Sequence, residues 1–461
     1  MSRDAALARA GEIFDSGELF ELLKKWVAFE TESQNPDRGP EFKAYLLEGV
    51  APYLEPMGFE CRLLDNPEEP RLPFLFGHRP EGPDLPTLLT YGHGDTVRAM
   101  EGRWREGLGP WELKAEGERW YGRGAADNKG QHAINLAALA AVLKESGSLG
   151  FNVKILLESG EEMGSPGLHR VCEAHRELLA ADLLIASDGP RLVPEKPTIF
   201  GGSRGVANFD LELSLRSGGH HSGNWGGLLA NPGTILANAI ACLVDSRGRI
   251  LVPELKPKEI PDSVRQALAE LDLSRMAGPE TDPGWGEPGL TPAEKVFGWS
   301  TLDVLAMKTG DPDHPAHAIP PRAKARLHTR FVADQDPESF LPAIRRRLDR
   351  CGFQEVEVTP ARGSYTRATR LLPDHRWAMM AMDSLRLTSG VKPAFLPNLG
   401  GTLPNDAFSH ILGLPTLWVP HSYSGCSQHA PDEHLLAPLA REGLGLMAGL
   451  FWDLSRAFAE G

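Results

Sequence analysis

The sequence predicts an α/β protein: a mixed, mostly parallel sheet flanked by helices, with an α+β unit inserted into it. Three observations carry this. Several short apolar runs each end in a turn bearing His, Asp or Glu, and stretches with helical spacing of apolar residues separate them. Between about 198 and 362 the texture changes to long alternating strands with amphipathic helices. At 461 residues the chain is too long for one small core, so more than one domain is expected. The expected division is 1–197 and 363–461 for the larger domain and 198–362 for the inserted one.

Taken in order, residues 4–30 read as an amphipathic helix, with Leu19, Leu22, Leu23, Trp26 and Val27 at helical spacing. A second helix is expected over about 40–55, then short strands at 59–64 and 74–76. The apolar run 86–91 reads as a central buried strand. A long Ala/Leu helix reaches about 145, and strands follow at 152–157, 181–187 and 414–420. In the inserted unit, 206–214 and 322–332 alternate like half-buried strands, and 354–359 reads as another. Helices are expected at 232–244 and 337–350. The stretch 245–300 is rich in Pro and acidic residues and reads as an extended insertion.

Composition narrows the function classes. The net charge of −14 argues against a nucleic-acid or anionic-membrane partner. The longest apolar stretches, 133–143 and 235–244, are too short to span a bilayer. Arg3, Asp4, Arg9, Glu12 and Asp15 leave no apolar signal segment at the start. Five scattered cysteines without CxxC spacing suit a reduced, cytoplasmic protein.

The chemistry sits where the strands end. The central strand runs into Tyr91-Gly-His-Gly-Asp-Thr-Val97, which places His93 two residues before Asp95. In open α/β sheets ligands bind at that edge. With a metal present, His93 is a ligand type and Asp95 the carboxylate that fixes its tautomer. Asp127 lies at a loop-to-helix junction, where its alternative role is an N-cap. The adjacent Glu161 and Glu162 follow another strand, Asp188 a third, and His429 a fourth. Independent solvated loops do not converge in this way. Two histidines with several carboxylates form a mixed N/O set suited to zinc, and also to manganese or cobalt. So many ligand candidates fit two metals better than one, with a further carboxylate left to move a proton.

Five segments in one order resemble the signature of the M20 metallopeptidases, which include carnosinase-like dipeptidases and N-acyl-amino-acid deacylases. They are Tyr91–Val97, Gly122-Arg-Gly-Ala-Ala-Asp-Asn-Lys-Gly130, Glu161-Glu-Met-Gly-Ser165, Asp188-Gly189 and His429-Ala-Pro-Asp-Glu433. The resemblance implies that Asp127 bridges two divalent ions, that His93 and Asp188 complete one site, and that Glu162 and His429 complete the other. It makes Asp95 the residue that orients His93, and Glu161 the general base. It further implies that the inserted unit is a lid and dimerisation domain. His221, in Gly218-Gly-His-His-Ser-Gly223, then matches a histidine that reaches the partner subunit's site. Arg330 matches a lid arginine that binds a substrate carboxylate, and Gly401 and Thr402 lie in a substrate-contacting loop. Where the family often carries Asn or His before paired glycines, this chain has Thr301–Met307 instead, and His317 is the candidate substitute.

The expected protein is therefore a cytoplasmic, homodimeric, two-metal amidohydrolase that cleaves dipeptides or small peptides. The same motifs also suit an N-acyl-amino-acid deacylase. A non-hydrolytic, metal-binding dimeric module is the remaining alternative, and the presence of both Asp95 and Glu161 speaks against it.

Overall fold

The computed structural model of the chain describes residues 2–275 and 279–459. The apolar run before His93 forms the strand Thr87–His93, in the middle of an eight-stranded sheet. From one edge the order is Glu60–Leu64, Phe74–Arg79, Asn152–Glu158, Thr87–His93, Leu183–Ala186, Thr416–Trp418, Thr198–Phe200 and Ala394–Leu396. The central pairings are parallel, as is the pairing at the last edge. The first two pairings, and the contact of Trp418 with Phe200, are antiparallel.

Both faces of this sheet are covered, which is why its strands read as near-continuous apolar runs. Leu88, Val153, Ile155, Leu183 and Leu417 belong to one apolar cluster with Trp26 and the helices Lys129–Ser146 and Ala437–Ala459. Their sequence neighbours Leu89, Leu156, Leu184 and Trp418 belong to the cluster on the opposite face. That alternation is the pleat of the strand expressed as two cores. It leaves the carboxyl ends of the central strands free to carry polar turns.

The N-terminal helix expected over 4–30 is two helices, Arg3–Asp15 and Glu18–Val27. Gly17 between them takes φ +82°, a left-handed turn that stops the first helix. The helix expected over 40–55 is interrupted by a π-helical turn, Tyr45–Val50. Pro52 follows one residue into the next α-helical segment and has no N–H to continue an α ladder.

The inserted stretch forms a four-stranded antiparallel sheet in the order Thr301–Lys308, Arg322–Phe331, Gly205–Ser214, Glu357–Thr366. Helices Pro232–Ala241 and Phe340–Arg350 cover one face. The last strand starts three residues later than the expected 354–359 and runs on to Thr366. It is an edge strand, so Pro360 sits in it without costing a ladder bond while obscuring its periodicity.

The stretch 245–300 is not an extended insertion. It carries helices Asp262–Ala269 and Pro292–Phe297 and crosses to the larger sheet. Ile260, Val264, Leu268, Ala293 and Phe297 are buried in the same cluster as Phe200, Ala394 and Leu396. Lys392, beside that edge, pairs with Glu270 at 2.7 Å. The prolines mask helices whose signals are Val264 and Leu268 four apart and the capping box of Thr291 with Glu294. Residues 276–278 of the stretch lie outside the described residues. Among the described residues, no helix is long and apolar enough to cross a membrane.

Candidate metal centre

The turns after the central strands bring the expected ligands together. His93 closes its strand fully buried, with Nε2 3.0 Å from Asp127 Oδ1 and 3.7 Å from Asp188 Oδ2. On the other side of Asp127, Oδ2 lies 3.0 Å from His429 Nε2, which is also 3.0 Å from Glu162 Oε2. Two three-residue groups result, His93–Asp127–Asp188 and Asp127–Glu162–His429, and they share one carboxylate. In each, the candidate ligand atoms lie within 4.8 Å of one another. Glu161 Oε2 stands 4.0 Å from His93 Nε2, outside both groups.

Asp127 is not an N-cap. Asn128 occupies that position for helix Lys129–Ser146, and the Asp127–Asn128 peptide is cis. The loop before it is tied down by Glu433, a buried carboxylate. Its oxygens accept the N–H groups of Gly124, Ala126 and Asp127 at 3.0–3.1 Å, and Arg123 pairs with it at 2.7 Å. Glu433 stands in the last motif, four residues after His429, and no local pattern marks it for this task. The Gln428 amide, donating to Asp127 Oδ2, was likewise missed. Its one signal was adjacency to His429.

Asp95 touches more than His93. His93 Nδ1 lies 3.1 Å from the Asp95 backbone oxygen and 3.4 Å from its carboxylate. The carboxylate itself accepts the backbone N–H groups of Glu161 and Glu162. Behind this turn, Glu158 accepts from Tyr91 and from the Ser165 hydroxyl.

The charges are crowded. Burial, together with Asp188, Asp127 and Glu162, pushes Glu161 well above the ordinary carboxylate range against the pull of His93. Burial and Asp127 raise Asp188 to about 6. Burial raises Glu162 to about 7 although His429 opposes it. Hydrogen bonds to Asp127 and Glu162 raise His429 to about 10. Burial works against ionising Asp127, but His429 and His93 hold it below its usual value.

Four carboxylates around two imidazoles, with Glu162 Oε1 buried and unpartnered, fit divalent cations well. Buried charges persist when they are paired or coordinate metal. A cavity of about 350 Å³ opens onto the cluster, lined by Asp127, Glu161, Asp188 and His429 on one side and by Leu399, Gly401 and Thr402 on the other.

The remaining expected residues divide. Arg330 reaches this wall, with Nη1 donating to the Thr402 hydroxyl at 2.7 Å. His221 and His317 lie elsewhere, exposed beside a short antiparallel pairing in which His221 faces Ala318. The His221 ring accepts the Gly223 N–H, and the His317 backbone oxygen accepts from Ser222.

Fold and site together define a metallopeptidase: an α/β sheet whose carboxyl edge gathers two His–carboxylate groups on one aspartate, with a further glutamate beside them. The chain belongs to peptidase family M20/M25/M40, whose family model matches residues 89–453. It is 31% identical to the Beta-Ala-His dipeptidase of Homo sapiens, over 95% of this chain and 90% of that one. A Cys-Gly metallodipeptidase of Schizosaccharomyces pombe is 33% identical over 81% of this chain and 80% of that one. The fold matches the solved M20 family metallo-carboxypeptidase of Sulfolobus solfataricus with TM-score 0.79 at 24% identity, covering 95% of this chain and 99% of that one. Human carnosine dipeptidase 1 matches with TM-score 0.74 at 24% identity, covering 98% and 99%.

Proposed function

We propose that the protein is a two-metal dipeptidase, using zinc or, in its place, manganese or cobalt, and working as a cytoplasmic homodimer. The observation that carries this reading is the pair of ligand groups meeting on Asp127 with Glu161 beside them and outside both. The names of the relatives, dipeptidases for Beta-Ala-His and Cys-Gly, support a short unblocked peptide as substrate. Five free cysteines suit a reducing compartment.

His93, Asp127 and Asp188 would hold one ion, and Asp127, Glu162 and His429 the other. Bound there, the metals supply an acidified water and polarise the scissile carbonyl. The protein's own part is positioning and proton transfer. Glu161, raised by burial among carboxylates, takes the proton of the attacking water and delivers it to the leaving nitrogen. Asp95 fixes where Glu161 stands through its backbone N–H. Arg330 and Thr402 hold the substrate carboxylate at the opposite wall of the cavity, beside Gly401.

Residues 198–362 serve as the lid and dimerisation domain, on the catalytic domain formed by 1–197 and 363–461. Its edge strand Thr301–Lys308 exposes Val304, Leu305 and Met307, and Trp225 and Leu228 are exposed beside His221. These apolar groups suit a second copy of the chain. In that assembly His221 acts on the partner's site by steadying the oxyanion, and His317 stands next to it.

The test is release of free amine from unblocked dipeptides and from N-acetyl and N-succinyl amino acids, with and without chelator. Chelator-sensitive cleavage of the dipeptides is expected. Cleavage of acylated substrates alone would replace the dipeptidase reading with the deacylase one.

A further inference from the structure

Arg204 lies where the chain passes from the larger sheet into strand Gly205–Ser214, and it is only 9% exposed. This one residue holds three of the four residues in the loop 399–402. Its N–H donates to the Leu399 oxygen at 3.0 Å, its Nε to the Gly400 oxygen at 2.9 Å, and its carbonyl accepts the Thr402 hydroxyl at 3.0 Å. That hydroxyl also accepts Arg330 Nη1. Thr402, on the wall of the cavity, is thus held between the Arg330 guanidinium and the Arg204 backbone, while the Arg204 guanidinium holds the neighbouring Gly400 from behind.

This arrangement is short of negative charge. Arg204 Nη1 is buried with no hydrogen-bond partner. Burial and the Arg330 charge bring Arg204 down to about 10, and Asp303 is the carboxylate that offsets both arginines. Asp303 is shared with His328, 3.6 Å away. Holding a second cation beside Arg330, with an empty N–H and no carboxylate of its own, is destabilising. A substrate that brings two negative charges to this wall relieves it.

We propose that Arg204 is a charge-selecting and positioning residue: with Arg330 it makes the enzyme prefer a leaving residue with two carboxylates, a C-terminal Glu or Asp, over the matching amide. The inference rests on the dipeptidase reading above. Arg330 and Thr402 take the α-carboxylate. Arg204 fixes the loop that carries Thr402, and its buried charge acts on the side-chain carboxylate through that loop.

The experiment compares kcat and KM for Ala-Glu against Ala-Gln, and Ala-Asp against Ala-Asn, in the metal-reconstituted enzyme. The wild type is expected to favour the acidic member by about tenfold in kcat/KM, mostly through KM. In Arg204→Met the ratio falls to near one, and Arg204→Lys restores part of it. Loss of all four substrates in equal proportion in Arg204→Met would mark a purely structural prop and overturn the inference. So would a wild type that cleaves Ala-Gln as well as Ala-Glu, a result that needs no variant to fold. Either outcome leaves the dipeptidase reading standing, whereas a wild type inert toward every dipeptide removes both.

Discussion

The Asp95 carboxylate receives the backbone N–H of Glu161 at 3.0 Å and that of Glu162 at 3.1 Å. A single buried side chain thus sets the place of the candidate proton carrier and of one candidate ligand, while its own backbone oxygen faces the ring of another, His93. Asp95→Ala frees both turns at once. Loss of a group that supports metal ligands costs about 10–100-fold in metal affinity or activity. The expected result is a fall of that size in kcat/KM together with weaker metal retention on dialysis, followed by elemental analysis.

Glu161→Gln separates proton transfer from metal binding. The amide keeps the size of the side chain and removes the carboxylate that accepts a proton, so kcat is expected to fall by about 10²–10⁴-fold. Glu161 lies outside both ligand groups, so metal content should match the wild type. Near-full activity in this variant would sink the assignment of Glu161 as base.

Exposed His221 makes a prediction about assembly. Glu161→Gln and His221→Ala are each expected to be nearly inactive as homodimers. If His221 serves the partner's site, mixed dimers of the two variants contain one intact site. Unfolding and refolding an equimolar mixture should recover about a quarter of wild-type activity, since half the dimers are mixed and half their sites are intact. No recovery in mixtures shown to exchange subunits would confine His221 to its own subunit.

His421 links stability to pH. It is fully buried against Asn135 and Ser187, and burial, with Arg191 nearby, holds it well below the ordinary imidazole value. Protonation therefore favours the unfolded chain. The stability it contributes is complete above about pH 6.5, the value in the unfolded chain, and is lost as pH falls below that toward the folded value. His132, also buried and depressed, acts in the same direction. Between pH 7 and pH 5 the chemical-denaturation midpoint of the wild type should shift downward relative to that of His421→Gln, a comparison that isolates His421 from the raised carboxylates titrating in the same window.

Most of the candidate ligand set was legible because His93, Glu162, Asp188 and His429 follow strands, where residues change from apolar to polar, while Asp127 stood at a loop-to-helix junction among them. His93, Asp127, Glu162, Asp188 and His429 all fall in the two groups. The choice between Glu161 and Glu162 was not legible, because it depends on which side chain the turn aims at His429. Arg204 and Glu433 were missed because what they do is hold loops distant in sequence. Arg204 acts on 399–402 and Glu433 on 123–127, and no local pattern records such a reach. The helices within 245–300 were hidden by prolines at their starts, so the stretch read as loop until its apolar partners on the larger sheet were known.

Those helices also decide how the protein can be taken apart. Helices Asp262–Ala269 and Pro292–Phe297 belong by sequence to the smaller sheet and by packing to the larger one. A fragment cut at 198 and 362 would carry Ile260, Val264, Leu268 and Phe297 into solvent, and the remainder would bare Ala394 and Leu396. Chimaeras that exchange the smaller unit between relatives therefore need to exchange the edge strand Ala394–Leu396 with it, or to repaint both faces of the seam with polar residues.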